Sequence, residues 1–334
     1  MTKILAVTLI ILFIGFCALA VMVMDLRRYA STAAGKRTPP VLFSVKSGEN
    51  FKRMSQRLAN GGIIANVPKF VWYARLRGYD KNIKAGDYEL SSAMTPKQIL
   101  QRMVQGKVAL YKVTIPEGYT MAQIAELISQ TTRITPQAFM EKATDAAFAR
   151  EKGVNANSFE GYLVPETYFF PKNVTPETCI STMVRRFHEV FGPEWRQRAE
   201  ALNMSVHQIV TLASMIEKET GAAFERPLIA SVFHNRLKRG MRLSSDPTVI
   251  YGIQNFNGNL TRKDLETRTP YNTYLIKGLP PGPIANPGKE SLEAALYPAE
   301  TDYLYFVSKK DRTHHFSTTL AEHNRAVRKY QLRK

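Results

Sequence analysis

Two carboxylates, Glu217 and Glu219, close the stretch Val210-Thr-Leu-Ala-Ser-Met-Ile-Glu-Lys-Glu-Thr220. A carboxyl group set beside apolar surface keeps its proton to higher pH, which makes it a usable general acid. The element that presents the pair reads as a helix. Ser205 stands at its start as an N-cap, with Gln208 completing a capping-box pattern. Ile209, Leu212, Ala213 and Ile216 then recur on one face. At about 100° per residue, Glu217 lies roughly 80° to one side of Ile209 and Glu219 roughly 80° to the other. Either acid could edge a buried groove. Spacing does not choose between them, and a solvated helix end with a local charge cluster fits the same residues.

The 334 residues allow a membrane or targeting segment and one or two domains. Lys and Arg outnumber Asp and Glu by 46 to 28, a formal net charge of +18. That balance suits an anionic partner, whether nucleic acid, lipid head groups or an acidic polymer. Cys17 lies in the N-terminal apolar run and Cys179 is alone in the remainder, so the soluble part has neither a disulfide nor a cysteine metal site. The histidines form no His-Glu-x-x-His pattern, and His314-His315 reads as a surface pair. No metal or cofactor is expected.

Residues 4–24 are apolar except for Thr8 and Gly15. As a helix they cover about 31 Å, enough to cross the hydrocarbon core of a bilayer. Ala18-Leu19-Ala20 resembles a cleavage site, but the run continues to Met24, beyond a signal-peptide core, so an uncleaved anchor is the reading. Lys3 on one side and Arg27 and Arg28 on the other leave orientation open. The anchor spans 1–28, and a linker at 29–40 ends in Pro39-Pro40. Residues 41–108 read as a small α+β module, with strands at Val41–Val45 and Gly86–Leu90 and helices between and after them. Residues 109–334 read as a larger mixed α+β domain. Within it, one helix is expected from Pro136 to about Ala149, and 157–171 and 243–251 read as loops. Tyr303–Val307 and His315–Ser317 read as paired strands before a basic C-terminal helix carrying Arg325, Arg328, Lys329, Arg333 and Lys334.

Six stretches in order carry a resemblance. They are Glu160-Gly-Tyr-Leu-Val-Pro-Glu-Thr-Tyr168, Ala213-Ser-Met-Ile-Glu-Lys-Glu-Thr220, Ala230-Ser-Val-Phe-His-Asn-Arg-Leu237, Asp246-Pro-Thr-Val-Ile-Tyr251, Tyr271-Asn-Thr-Tyr274 and Gly278-Leu-Pro-Pro-Gly-Pro-Ile284. With the N-terminal anchor and the small module, they make nearly the whole chain resemble the YceG-like endolytic murein transglycosylases. The resemblance implies a single-pass anchor in the cytoplasmic membrane, N-terminus inside, with the rest of the chain outside the membrane. It implies that 41–108 is LysM-like, a label that rests on Ser47-Gly48-Glu49. It implies peptidoglycan glycan strands as substrate, cut internally at the bond between N-acetylmuramic acid and N-acetylglucosamine. Nascent strands beside peptidoglycan synthases are the implied setting.

The resemblance also implies that the catalytic acid is the second Glu of Glu217-Lys-Glu-Thr220, hence Glu219, with Glu217 as a supporting acid. An uncharged sugar would be met by hydroxyls, amides and aromatic faces, which Tyr271, Asn272, Thr273 and Tyr274 supply. Asp246 and Thr248 are candidates to orient Glu219 or the substrate. Glu160, Tyr162, Glu166 and Tyr168 form a second candidate wall, and Gly278–Ile284 a stiff one. The alternative is a non-enzymatic, membrane-anchored peptidoglycan-binding scaffold, which would need no Glu219. A nucleic-acid-binding role has only the net charge behind it, since no recognisable binding motif is present.

Overall fold

The structure, a computed structural model, describes residues 2–36, 39–254 and 256–332. Arg37 and Thr38 of the expected linker, and Arg333 and Lys334 of the expected C-terminal helix, lie outside the described residues. The chain divides into two compact units, one of 1–111 with 170–173 and one of 112–169 with 174–334. The fold is α+β, dominated by helices, with three two-stranded sheets among the described residues.

In the first unit, α1 (Thr2–Ser31) is long and apolar enough to cross a membrane. It runs to Ser31, so the opening residues of the expected linker are helical. Ala30 belongs to the apolar core of this unit, and the Tyr29 hydroxyl donates to the Asn66 carbonyl at 2.9 Å, which gives the helix reason to continue. Then come β1 (Val41–Val45), α2 (Phe51–Asn60), α3 (Val67–Leu76), β2 (Gly86–Leu90) and α4 (Pro96–Gln105). β1 and β2 pair antiparallel, with Phe43 opposite Tyr88. Asn50, Asn66 and Thr95 each cap the helix that follows.

The second unit begins in β3 (Tyr111–Thr114) and continues through α5 (Met121–Ser129), α6 (Pro136–Ala143) and α7 (Ala146–Glu151). The helix expected from Pro136 to Ala149 is thus two. Asp145 breaks it, because its carboxylate accepts from the Ala147 and Phe148 amides and starts a new helix there. β4 (Thr167–Phe170), in a stretch expected to be loop, pairs with β3. Next are α8 (Pro176–Val190), α9 (Pro193–Ala201), α10 (Val206–Glu219), α11 (Arg226–Lys238), α12 (Asp246–Gly252), α13 (Arg262–Glu266) and α14 (Lys289–Leu296). The chain ends in β5 (Tyr305–Ser308), β6 (His314–Ser317) and α15 (Leu320–Val327), followed by a short π-helical turn. β5 and β6 pair antiparallel, with Phe306 opposite Phe316.

The second unit is organised around α10. Its capping box forms, Ser205 receiving the Gln208 amide and Gln208 the Ser205 amide. Every residue from Ile209 to Ile216 is buried, so apolar surface surrounds the helix on all sides and only its two ends reach water. α10 packs against α11, α12 and α14. α12 replaces an expected loop. Pro247 at its first turn supplies the φ a helix start needs.

Candidate active site

The two carboxylates at the end of α10 diverge as helical geometry requires, and their surroundings differ. Glu217 turns toward α14. Its Oε2 accepts the Gly288 amide at 3.0 Å, at the start of that helix, and its Oε1 lies 3.7 Å from Arg226. Arg226 also donates to Ser291 Oγ at 3.1 Å and to Glu117 at 3.3 Å. The Glu217 side chain is 8% exposed and is one anchor of a network, centred on the mostly buried Arg226, that ties α10, α11 and α14 together.

Glu219 turns the other way and is partly exposed. Ser245 Oγ donates to its Oε1 at 2.6 Å. Burial pushes its carboxyl up to about 7, and the nearby Asp246 adds to the rise; Ser245, His314 and Arg236 act against it. The side chain is thus recessed among protein atoms that strip its hydration, yet open enough to be reached. Among the described residues, Ser245 is its hydrogen-bond partner, which leaves Oε2 free for another group.

Ser245 is itself fixed by buried threonines. Its amide donates to Thr273 Oγ1 at 2.9 Å, Thr248 donates to its carbonyl at 2.7 Å, and the two threonine hydroxyls lie 2.8 Å apart. Asp246 is exposed and accepts from the Tyr274 hydroxyl at 2.6 Å. Arg236 is anchored by the Leu304 and Leu243 carbonyls. His314, expected at the surface, is mostly buried against Glu225, its Nδ1 2.7 Å from a carboxylate oxygen. Folding the β5–β6 hairpin back onto the segment after α10 sequesters it. Gly221 allows that approach: a Cβ there would lie 2.5 Å from the Arg312 carbonyl oxygen.

Of the residues singled out in the sequence, Glu219, Asp246, Thr248, Thr273 and Tyr274 come together. Asn272 does not face a ligand. It is fully buried, donating to the Leu265 and Thr267 carbonyls and accepting the Tyr274 amide. Tyr271 packs on Tyr251, ring centroids 4.9 Å apart, and lines a separate cavity of about 310 Å³ with Glu160. Glu160 is buried and receives the Met121 amide at 3.0 Å, Asn286 Nδ2 at 2.9 Å and the Tyr251 hydroxyl at 3.2 Å. Burial pushes its carboxyl up to about 7 as well. Gly161 beside it has φ +88°, and a Cβ there would lie 2.5 Å from Pro283.

The other members of the second candidate wall separate. Tyr162 is buried with its hydroxyl 2.9 Å from His207 Nδ1, and Tyr168 is buried and donates to the Val164 carbonyl. Glu166 is exposed and paired with Arg186 at 2.7 Å. Pro281, Gly282 and Pro283 do line the Glu160 cavity. Ser245, Arg236, His314, Tyr251 and Asn286 also belong to these surroundings and were not singled out in the sequence. Ser245 had a signal, since a serine just before Asp-Pro-Thr sits where a helix begins. Arg236 and Tyr251 lie within stretches that carry the family resemblance, while the partners of His314 and Asn286 are far along the chain.

The YceG-like family matches residues 43–329. A Bacillus subtilis protein named endolytic murein transglycosylase is 34% identical over 87% of this chain and 84% of its own length. A protein of the same name from Streptococcus pneumoniae is 29% identical over 80% of this chain, which spans 54% of that longer protein. The crystal structure of a YceG-like protein from Listeria monocytogenes superposes with a TM-score of 0.61 at 38% identity, covering 86% of this chain and 98% of that one. The chain belongs to the YceG-like family.

Proposed function

We propose that this protein is an endolytic murein transglycosylase in which Glu219 is the catalytic acid and base. The observation that carries the assignment is the asymmetry of its carboxylate, one oxygen held by Ser245 and the other with no hydrogen-bond partner among the described residues, in a setting that keeps the proton to about 7. Protonated Glu219 donates to the oxygen joining N-acetylmuramic acid to N-acetylglucosamine, and the bond from C1 to that oxygen breaks. The carboxylate then takes the proton of the muramic C6 hydroxyl as that oxygen bonds to C1. The product end is 1,6-anhydro-N-acetylmuramic acid, and no water is consumed. Most glycosidases that use water rely on a second carboxylate, whereas here the sugar supplies the nucleophile. Positioned acid–base catalysis of this kind contributes roughly 10²–10⁴-fold.

Thr248 and Thr273 position Ser245, and Asp246 with Tyr274 forms the polar border on which a sugar hydroxyl would sit. Glu217 is a structural acid. The domain reading that goes with this function is an anchor at 1–28, a linker at 29–40, a LysM-like module at 41–108 and a catalytic domain at 109–334. The apolar α1 supports the anchor, and family membership is the ground for the orientation, with the N-terminus on the cytoplasmic side and the catalytic domain on the other. Strand termination beside peptidoglycan synthases is the setting in which an anchored, internally cutting enzyme would act. The positive charge would meet lipid head groups and stem-peptide carboxylates. Mass spectrometry of a peptidoglycan digest tests the assignment: 1,6-anhydro ends appear with the wild type and vanish with Glu219→Gln. Water-terminated reducing ends instead would reject the mechanism.

A further inference from the structure

A strand cut internally must be held on both sides of the scissile bond, and the second unit carries a feature suited to one of those sides. α12 and the turn at Tyr271–Tyr274 lie alongside each other, joined through the buried Thr248 and Thr273 and at two further places. At one, Tyr274 donates to Asp246, next to Glu219. At the other, Tyr271 packs on Tyr251, at the mouth of the Glu160 cavity. Asp246 and Tyr251 are five residues apart in one helix, about 7.5 Å along its axis. The two contacts tie the segment beside the candidate acid to the segment that lines the cavity.

The cavity, about 310 Å³, is at the small end of the range for small-ligand sites. Its lining is mixed in the way a sugar requires. The partly exposed Tyr251 and Tyr271 offer ring faces to C–H groups. Asn157 and Ser158 offer an amide and a hydroxyl, and Arg150 is an exposed cation at the rim. Glu160 fixes the tyrosine: its carboxylate receives the Tyr251 hydroxyl while Met121 and Asn286 hold the carboxylate in turn. A buried, fully engaged acid that orients an aromatic ring at a cavity mouth is a preorganised binding element.

We propose that this cavity is a distal saccharide subsite, taking an N-acetylated amino sugar of the same strand, with Arg150 placed for a carboxylate that the sugar carries. The proposal rests on the strand-cleaving function given above and adds the path of the strand: from Glu219, past Asp246 and Tyr274, to Tyr251 and Tyr271. It gives the enzyme a reason to prefer the interior of a strand, since a glycan too short to reach the cavity loses that contact.

The test uses peptide-free glycan strands fractionated by length. In the full chain, Tyr271→Ala should lower kcat/KM on long strands about tenfold, the size of one lost aromatic contact, mainly through KM. The loss on the shortest cleavable glycans should be clearly smaller. Tyr271→Phe, which keeps the ring, should retain the length preference, and Asn157→Ala at the exposed rim should weaken it less than Tyr271→Ala. Equal losses on long and short glycans, or no loss, overturn the proposal. Calorimetric binding of the same fractions to Glu219→Gln separates it from the underlying function. Loss of the length-dependent affinity on adding Tyr271→Ala supports the subsite without any turnover, and an unchanged affinity overturns it. A wild-type chain that cuts no strand overturns the cleavage function instead, and the binding comparison still decides the subsite.

Discussion

Glu160 and Glu219 both hold their protons to about 7, and both owe it first to burial. Their surroundings otherwise differ. Glu160 is sealed in, its oxygens occupied by the Met121 amide, Asn286 and Tyr251. Glu219 is partly exposed, and Ser245 occupies one of its oxygens. A raised pKa by itself therefore does not mark a catalytic acid. An acid must also have an open oxygen that a substrate can reach, and a carboxylate with every lone pair engaged is suited to holding other groups in place.

Swapping each acid for its amide separates the two roles by the largest margin. Glu219→Gln should reduce strand cleavage by roughly 10²–10⁴-fold or more while leaving the thermal midpoint close to that of the wild type. Glu160→Gln should do the reverse, retaining cleavage of short glycans above that of Glu219→Gln while destabilising the fold by on the order of 1–3 kcal/mol, since the amide nitrogen replaces an oxygen that accepts from fixed donors. If Glu160→Gln were the one that lost all cleavage in a folded protein, the roles assigned to the two acids would be exchanged.

Glu160 also predicts a pH signature. Its carboxyl moves from 4.5 to about 7 on folding. Between those values the folded chain keeps the proton and the unfolded chain gives it up, so stability falls as pH rises through that window. In Glu160→Gln, denaturant midpoints measured from pH 4.5 to 7 should decline less steeply than in the wild type.

A smaller effect is expected at Ser245. Its hydroxyl favours the ionised form of Glu219, so Ser245→Ala should raise the carboxyl further and shift the alkaline limb of the kcat/KM profile to higher pH. A fall of about tenfold at the optimum would accompany it. An unmoved limb would mean that the 2.6 Å hydrogen bond does not tune the acid. The least effect belongs to Glu217→Gln, which can still accept the Gly288 amide but weakens the pairing with Arg226. It should cost about 1 kcal/mol by chemical denaturation and change cleavage less than threefold.

Much of the second unit was legible in the sequence wherever the signal was local. The Ser205 cap and the apolar run through Ile216 required α10, and a threonine stands at the start of several other helices, as at Thr95, Thr120, Thr135 and Thr175. Misses arose where a neighbour intervened. Asp145 split a helix by offering its carboxylate to two amides, and α12 formed in a stretch rich in loop formers because Pro247 and the packing against α10 favour it. Tyr271-Asn-Thr-Tyr274 looked like one binding element, yet its members point to different tasks. Tyr271 reaches the Glu160 cavity, Asn272 holds backbone carbonyls, Thr273 supports Ser245 and Tyr274 meets Asp246.

That α10 ends in two acids on opposite flanks of one apolar face follows from residue order alone, because side-chain direction along a helix follows from its period. What each flank meets is a property of the packed chain. Gly288 and Arg226 reach Glu217 from 71 and 9 positions away, and Ser245 reaches Glu219 from 26. Burial and hydrogen-bond partners are set by segments distant in the chain, so the proton affinity and reach of a carboxylate exist only once those segments have packed.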